Sequence, residues 1–129
     1  MRTRTSTRAI AAGGFAAAAL MFASSPAFAG TDASVYTTNH AGSGAFHTSG
    51  SVERIQVCDE KAGDGLYPVV HLKYGGKEHF SPNIGDGPDC ENFKINIAEG
   101  TSVKVRIYLS RPGSDTHKYH ASSWHSAKA

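Results

Sequence analysis

The stretch Val103-Lys104-Val105-Arg106-Ile107-Tyr108-Leu109 decides the fold. Apolar and polar side chains alternate, so an extended chain places Val103, Val105, Ile107 and Leu109 on one face and Lys104, Arg106 and Tyr108 on the other. Four branched aliphatic residues on one side need a second layer to cover them, whereas the other side tolerates water. Upstream, Asn92–Ile97 repeats the pattern with Phe93, Ile95 and Ile97. Further upstream, Leu66, Pro68, Val70, Leu72 and Tyr74 share a face, and Pro68, which has no N–H to donate, predicts an edge or a bulge where that strand begins.

Outward from these three runs, the spacing predicts strands at Ala33–Thr38, Ala45–Thr48, Val52–Cys58, Tyr67–Tyr74, Lys77–Phe80, Asn92–Ile97, Ser102–Ser110 and Ser122–Ala127. Turn chemistry separates them at Gly63-Asp64-Gly65, Gly75-Gly76, Gly85-Asp86-Gly87-Pro88, Glu99-Gly100 and Arg111-Pro112-Gly113. Gly42-Ser43-Gly44, beside His40, reads as a further turn. After residue 30 no amphipathic helix is legible. Many short strands in one small domain predict an all-β fold, an antiparallel two-sheet β-sandwich of immunoglobulin-like size, with a small β-barrel as the alternative. A hairpin between 92–97 and 102–110 with both apolar rows inward pairs Ile97 with Val103 and Ile95 with Val105, which sets Lys94 opposite Arg106. Like charges face each other in that register, so either the outer face carries a small positive patch or the two strands belong to different sheets.

The first 29 residues have a different character. Arg2, Arg4 and Arg8 precede an apolar stretch, Ala9–Ala23, and Ala27-Phe28-Ala29 supplies the small residues that a signal peptidase requires. The apolar stretch is shorter than the roughly 20 residues that cross a bilayer. This predicts a Sec-type signal peptide over residues 1–29, cleaved after Ala29, and a single secreted, extracellular domain over 30–129 that meets the membrane only during export. The whole chain has 13 Lys plus Arg against 11 Asp plus Glu. Removing three arginines and no acid leaves 10 bases against 11 acids, a net charge of −1. The basic balance therefore belongs to the leader, and no general electrostatic case for nucleic acid remains. Composition also excludes a coiled coil, a collagen-like repeat and a multi-pass membrane protein. The two cysteines of an exported chain predict one disulfide, Cys58–Cys90.

The order of leader, "SVERIQVCDEKAGDGLYPVVHLKY", "DCENFKINIAEGTSVKVRIYLS" and a short final "SSWHSAKA" resembles the small secreted proteins of actinobacteria, most of them uncharacterised. The resemblance implies a β-sandwich-like domain and supplies no functional residues. Relatives often carry a second cysteine pair joining the equivalents of strand 102–110 and the last strand. This chain has Tyr108 and Ala121 there, so Trp124 is the expected anchor of the final strand.

Three constellations bear on chemistry. A Cys58–Cys90 bond draws Asp59 and Glu60 towards Asp89 and Glu91, with Asp64 and Asp86 on adjoining turns. Such a group offers oxygen ligands for Ca²⁺, although no EF-hand spacing is present, and acids at turns also serve the backbone. No other cofactor is expected. His117, His120 and His125 cluster near the C-terminus as candidate transition-metal ligands, but on a strand His120 and His125 face opposite sides. No nucleophile elbow, HExxH pair or phosphate-binding glycine loop occurs, so no catalytic residue is assigned and a non-enzymatic role is expected. The expected role is an extracellular binding or structural module for an extracellular protein or cell-wall component, with Tyr67, Tyr108 and Trp124 as candidate contacts. An inhibitor of an extracellular hydrolase, presenting Gly85–Asp89, or a small antibacterial toxin is the alternative, and a hydrolase is a third.

Overall fold

Alternating side chains build nine strands among the described residues: β1 (Ala33–Tyr36), β2 (Gly42–Ser49), β3 (Val52–Asp59), β4 (Tyr67–Tyr74), β5 (Lys77–Phe80), β6 (Cys90–Ile95), β7 (Ser102–Arg111), β8 (Ser114–Tyr119) and β9 (His125–Lys128). The computed structural model describes residues 30–49 and 52–129, with the side chains at 115 and 116 outside that description. The export signal expected over residues 1–29 also lies outside the described residues. The strands form two unclosed antiparallel sheets. One has the order β1-β2-β3-β6, and the other has the order β5-β4-β7 with β8 and β9 end to end along the far edge of β7. The two-sheet sandwich, not the barrel, is the architecture.

The core lies between the sheets. Val35, Phe46, Ile55, Val57 and Ile95 come from the four-stranded sheet and meet Val70, Leu72, Val103, Val105 and Ile107 from the five-stranded sheet. The apolar rows of β4 and β7 face the same way because the two strands pair directly, Val70 with Ile107 and Leu72 with Val105. Ile97 joins the core just past the end of β6, and its N–H is accepted by the carboxylate of Glu53 at 3.1 Å. Glu53 is 1% exposed, so this bond removes what would otherwise be a buried orphan donor.

Pro68 behaves as its chemistry requires. β5 pairs with β4 only from His71 onward, which leaves the Pro68 end of β4 with β7 on one side and, among the described residues, no strand on the other. The two terminal segments are also tied together: Thr31 and Lys128 exchange both backbone hydrogen bonds, at 2.8 and 3.1 Å.

Of the two alternatives for strands 92–97 and 102–110, the second holds: β6 and β7 lie in different sheets, Lys94 faces Arg54, and Arg106 faces His71. Three expectations need correction. Gly42-Ser43-Gly44 is not a turn but the first part of β2. Its glycines are there because the opposite sheet comes close: a Cβ on Gly42 would lie 3.0 Å from that of Pro68, and one on Gly44 would overlap Val70 Cγ2. β8 was absent from the expected strands, since its polar sequence at an edge carries no alternation of hydrophobicity. The last strand begins at His125, after Trp124, not at Ser122.

The cysteines occupy directly opposite positions on neighbouring strands β3 and β6. Their Cα atoms are 4.0 Å apart, with a sequence separation of 32. On the chain-entropy account, closing such a loop stabilises the fold by about 3–4 kcal/mol.

Candidate functional site

The outward face of the five-stranded sheet is the most distinctive surface. Because Val70 and Leu72 enter the core, the intervening side chains of β4 point away from it: Tyr67, Val69, His71 and Lys73. Pairing sets Val69 beside Tyr108, His71 beside Arg106 and Lys73 beside Lys104. On the other flank of β4, Phe80 pairs with His71 and Glu78 with Lys73. The result is a layer of aromatic rings interleaved with cations.

His71 is its centre. Although it points away from the core, it is only 2% exposed. Phe80 stacks on the imidazole at 4.2 Å, Trp124 meets it edge-on at 4.9 Å, and Tyr108 stands perpendicular at 6.5 Å. Nδ1 accepts a hydrogen bond from Arg106 Nε at 3.2 Å, which leaves the proton on Nε2. Among the described residues Nε2 is buried without a hydrogen-bond partner, with Glu78 Oε1 3.7 Å away. Burial first, then the positive charge of Arg106, pushes the His71 pKa down to about 4, so the ring is neutral at physiological pH. Lys73 donates to Glu78 at 2.9 Å and holds that carboxyl below its ordinary range.

Cations lie over the rings. The Arg106 guanidinium is 4.5 Å from the centre of Trp124 and 5.9 Å from that of Tyr108. Lys73 Nζ lies 5.1 Å from Trp124, and Lys118 Nζ lies 5.5 Å from Tyr108. Beside this cluster opens a cleft of about 370 Å³, whose apolar and aromatic lining comes from Tyr67, Val69, Phe80 and Tyr108. Ser81, Asn83, Ser110 and Lys118 supply its polar lining. A volume of this order falls in the range of small-molecule sites.

The three aromatic residues singled out from the sequence, Tyr67, Tyr108 and Trp124, thus occupy one face. Their exposure differs. Tyr108 is 7% exposed, with Lys118 over its ring, whereas Tyr67 and Trp124 are half-buried. His71, Phe80, Arg106 and Lys118 were not singled out. The available signal was the pairing of β4 with β7, whose outward rows both carry rings and cations in place of the usual small polar residues.

The six acids fare differently. Asp59, Asp64 and Asp86 do approach one another, and burial, followed by the charges of Asp64 and Asp86, raises the Asp59 carboxyl above its usual range. Their oxygens accept backbone N–H groups. Asp59 takes Lys61 at 2.9 Å and Gly87 at 3.1 Å, Asp86 takes Gly63 at 2.7 Å and Gly65 at 2.8 Å, and Asp64 takes Leu66 at 2.9 Å. Glu60 accepts the Ser43 hydroxyl at 2.6 Å, and Asp89 and Glu91 are exposed. This is loop stapling, and among the described residues no three His, Cys, Asp or Glu side chains are placed to hold a metal ion. The histidines do not converge either. His117 stacks on Tyr119 at 5.9 Å, and His125 Nε2 lies 3.4 Å from Ser123 Oγ. His120 sits at φ 51°, in the turn between β8 and β9, with Nδ1 3.5 Å from Thr38 Oγ1.

No family model, curated protein or solved structure matches this chain.

Proposed function

We propose that the protein is an exported, non-enzymatic binding module that engages an extracellular or cell-wall partner through the outward face of its five-stranded sheet. One observation carries this reading: a layer of Tyr67, Phe80, Tyr108 and Trp124 interleaved with Lys73, Arg106 and Lys118, flanking a cleft. Aromatic and Arg-rich surface is what recognition sites concentrate, and Phe80, 44% exposed, is one of the few large apolar side chains left facing water. The likeness to small secreted actinobacterial proteins and the leader over residues 1–29 supply the compartment in this reading.

The test is retention from spent medium and cell-wall extract on immobilised protein. Phe80→Ser and Lys118→Gln should lose the retained component, and Tyr36→Ser, on the other sheet, should keep it. Equal retention by all three variants, no retention at all, or turnover of generic ester, peptide or glycoside substrates would each count against the reading.

A second reading has one specific observation behind it. The exposed loop Gly85–Asp89 is held from beneath, because Asp59 accepts the Gly87 N–H and Asn83 accepts the Gly85 N–H at 2.7 Å. A rigid projecting loop suits a hydrolase inhibitor, since little ordering remains to be done on binding. Slowing of any member of a protease and glycosidase panel, abolished by Asp59→Ala, would favour it.

A further inference from the structure

The cleft beside His71 has a chemistry of its own, which goes further than the proposal that this face binds. Ser81 Oγ accepts the Val70 N–H at 2.9 Å, so its hydroxyl proton remains available. Asn83 accepts the Gly85 N–H with its oxygen, which leaves the two N–H donors of its amide. Ser110 donates its proton to the Ser114 carbonyl at 3.2 Å and retains an acceptor. Lys118 adds an ammonium, and among the described side chains no carboxylate lies within ion-pair distance of it. The polar lining is therefore rich in donors and carries positive charge, while Tyr67, Phe80 and Tyr108 contribute aromatic side chains to the same cleft.

We infer that the cleft takes the ring of an acidic sugar, a uronic acid unit of an anionic glycan, with its carboxylate on Lys118. The flat, weakly apolar face of a pyranose ring packs on an aromatic side chain, and its hydroxyls accept from donors such as those of Ser81 and Asn83. The carboxylate answers the cation in a charge-assisted bond. An alkyl chain would leave these donors desolvated and unpaired, which is costly. A peptide strand would be expected to seek the open edge of a sheet, away from a walled cleft. Among the described side chains of this face the charges agree in sign: Arg106, Lys104 and Lys118 stand against Glu78, which Lys73 already neutralises. The inference rests on the binding-face reading and names its ligand.

The test titrates the disulfide-bonded protein with trigalacturonic acid, with neutral galactotriose and with sodium acetate, followed by backbone amide shifts. Trigalacturonic acid should bind and shift amides around Tyr67, Phe80 and Lys118, with the neutral sugar and acetate weaker by about tenfold or more. Lys118→Gln and Tyr67→Ala should each weaken binding by about fivefold or more, while Lys94→Gln on the opposite sheet leaves it unchanged. Equal binding of the neutral sugar, equal binding of acetate, or indifference to both cleft substitutions would overturn the inference. So would the absence of binding by trigalacturonic acid at about 10 mM, a concentration at which even a weak site registers. If no sugar binds and retention still depends on Phe80, the ligand class is wrong and the binding face stands. Loss of both removes the face itself.

Discussion

Acidification should destabilise this protein through His71 at a pH where Asp32 and Glu78 are still ionised. In the folded chain the ring is buried under Phe80 and Trp124, beside Arg106, and its pKa is about 4 against an ordinary 6.5. The unfolded chain therefore binds a proton between these values that the folded chain refuses, so stability falls as pH drops through that window. Integrating the difference from about pH 7.5 down to about pH 5 gives a loss of about 2 kcal/mol. For a domain of this size that is a fall in Tm of about 8–16 °C. Asp32 and Glu78 do not contribute in this window, and the raised Asp59 carboxyl, which binds its proton more readily in the folded chain, acts in the opposite direction and equally in wild type and variant. Asp32 is held low by the Thr48 N–H and His47, and Glu78 by Lys73, so their contributions disappear only in the carboxylate range and below. The assay is calorimetry across that pH range on the wild type and His71→Phe. The variant loses Arg106's acceptor and is less stable at neutral pH, but its melting temperature should barely move between the two ends. A wild type that melts at the same temperature at both ends, or a variant that loses as much as the wild type, refutes the reasoning. If His71→Phe does not fold, the imidazole resonances of the wild type decide the question directly, since titration of His71 near 6.5 is incompatible with it.

Gly44→Ala drives a methyl group into Val70 across the narrow end of the core and should cost about 1–3 kcal/mol, read as a lower urea midpoint with an unchanged slope. Replacing both Cys58 and Cys90 by Ala should remove about 3–4 kcal/mol, visible as an early melt that added reductant does not lower further. Asp86→Ala strands the N–H groups of Gly63 and Gly65, should cost about 1–2 kcal/mol, and should speed amide exchange around residues 61–66 while β4 and β7 stay protected. Excess Ca²⁺ should leave the melting temperature where EDTA leaves it, because the oxygens of Asp59, Asp64 and Asp86 are occupied by backbone donors; a rise of several degrees with Ca²⁺ would show a site.

Alternation made β4 and β7 legible, because each buries one full row against a second sheet, and β4 and β5 have the bounds read from the sequence. β8 was illegible for the opposite reason: a polar edge strand has no row to bury, and only Pro112-Gly113 marked its approach. The glycines of β2 misled because glycine at a turn and glycine under a close sheet contact look alike until the partner, Val70, is known. The same limit applied at the candidate site. Tyr67, Tyr108 and Trp124 stood out singly, but His71 fell on the wet side of an alternating strand and gave no sign of being buried. Its burial depends on Phe80 and Trp124, which arrive from β5 and from the segment before β9, and single-strand periodicity carries no information about such meetings.

The disulfide has a further consequence. The span between its two cysteines contains all of β4 and β5, which belong to the opposite sheet. A protease that cuts once in the exposed glycine-rich turns near residues 60–65 or 85–88 therefore opens the backbone without releasing a fragment. Both pieces remain joined through sulfur, and β4 keeps its place beside β7. Only a second cut, one in each turn, would detach the β4–β5 hairpin, and it would take Tyr67, His71 and Phe80 with it. Survival of the aromatic face in a protease-rich medium thus depends on one covalent bond located in the other sheet.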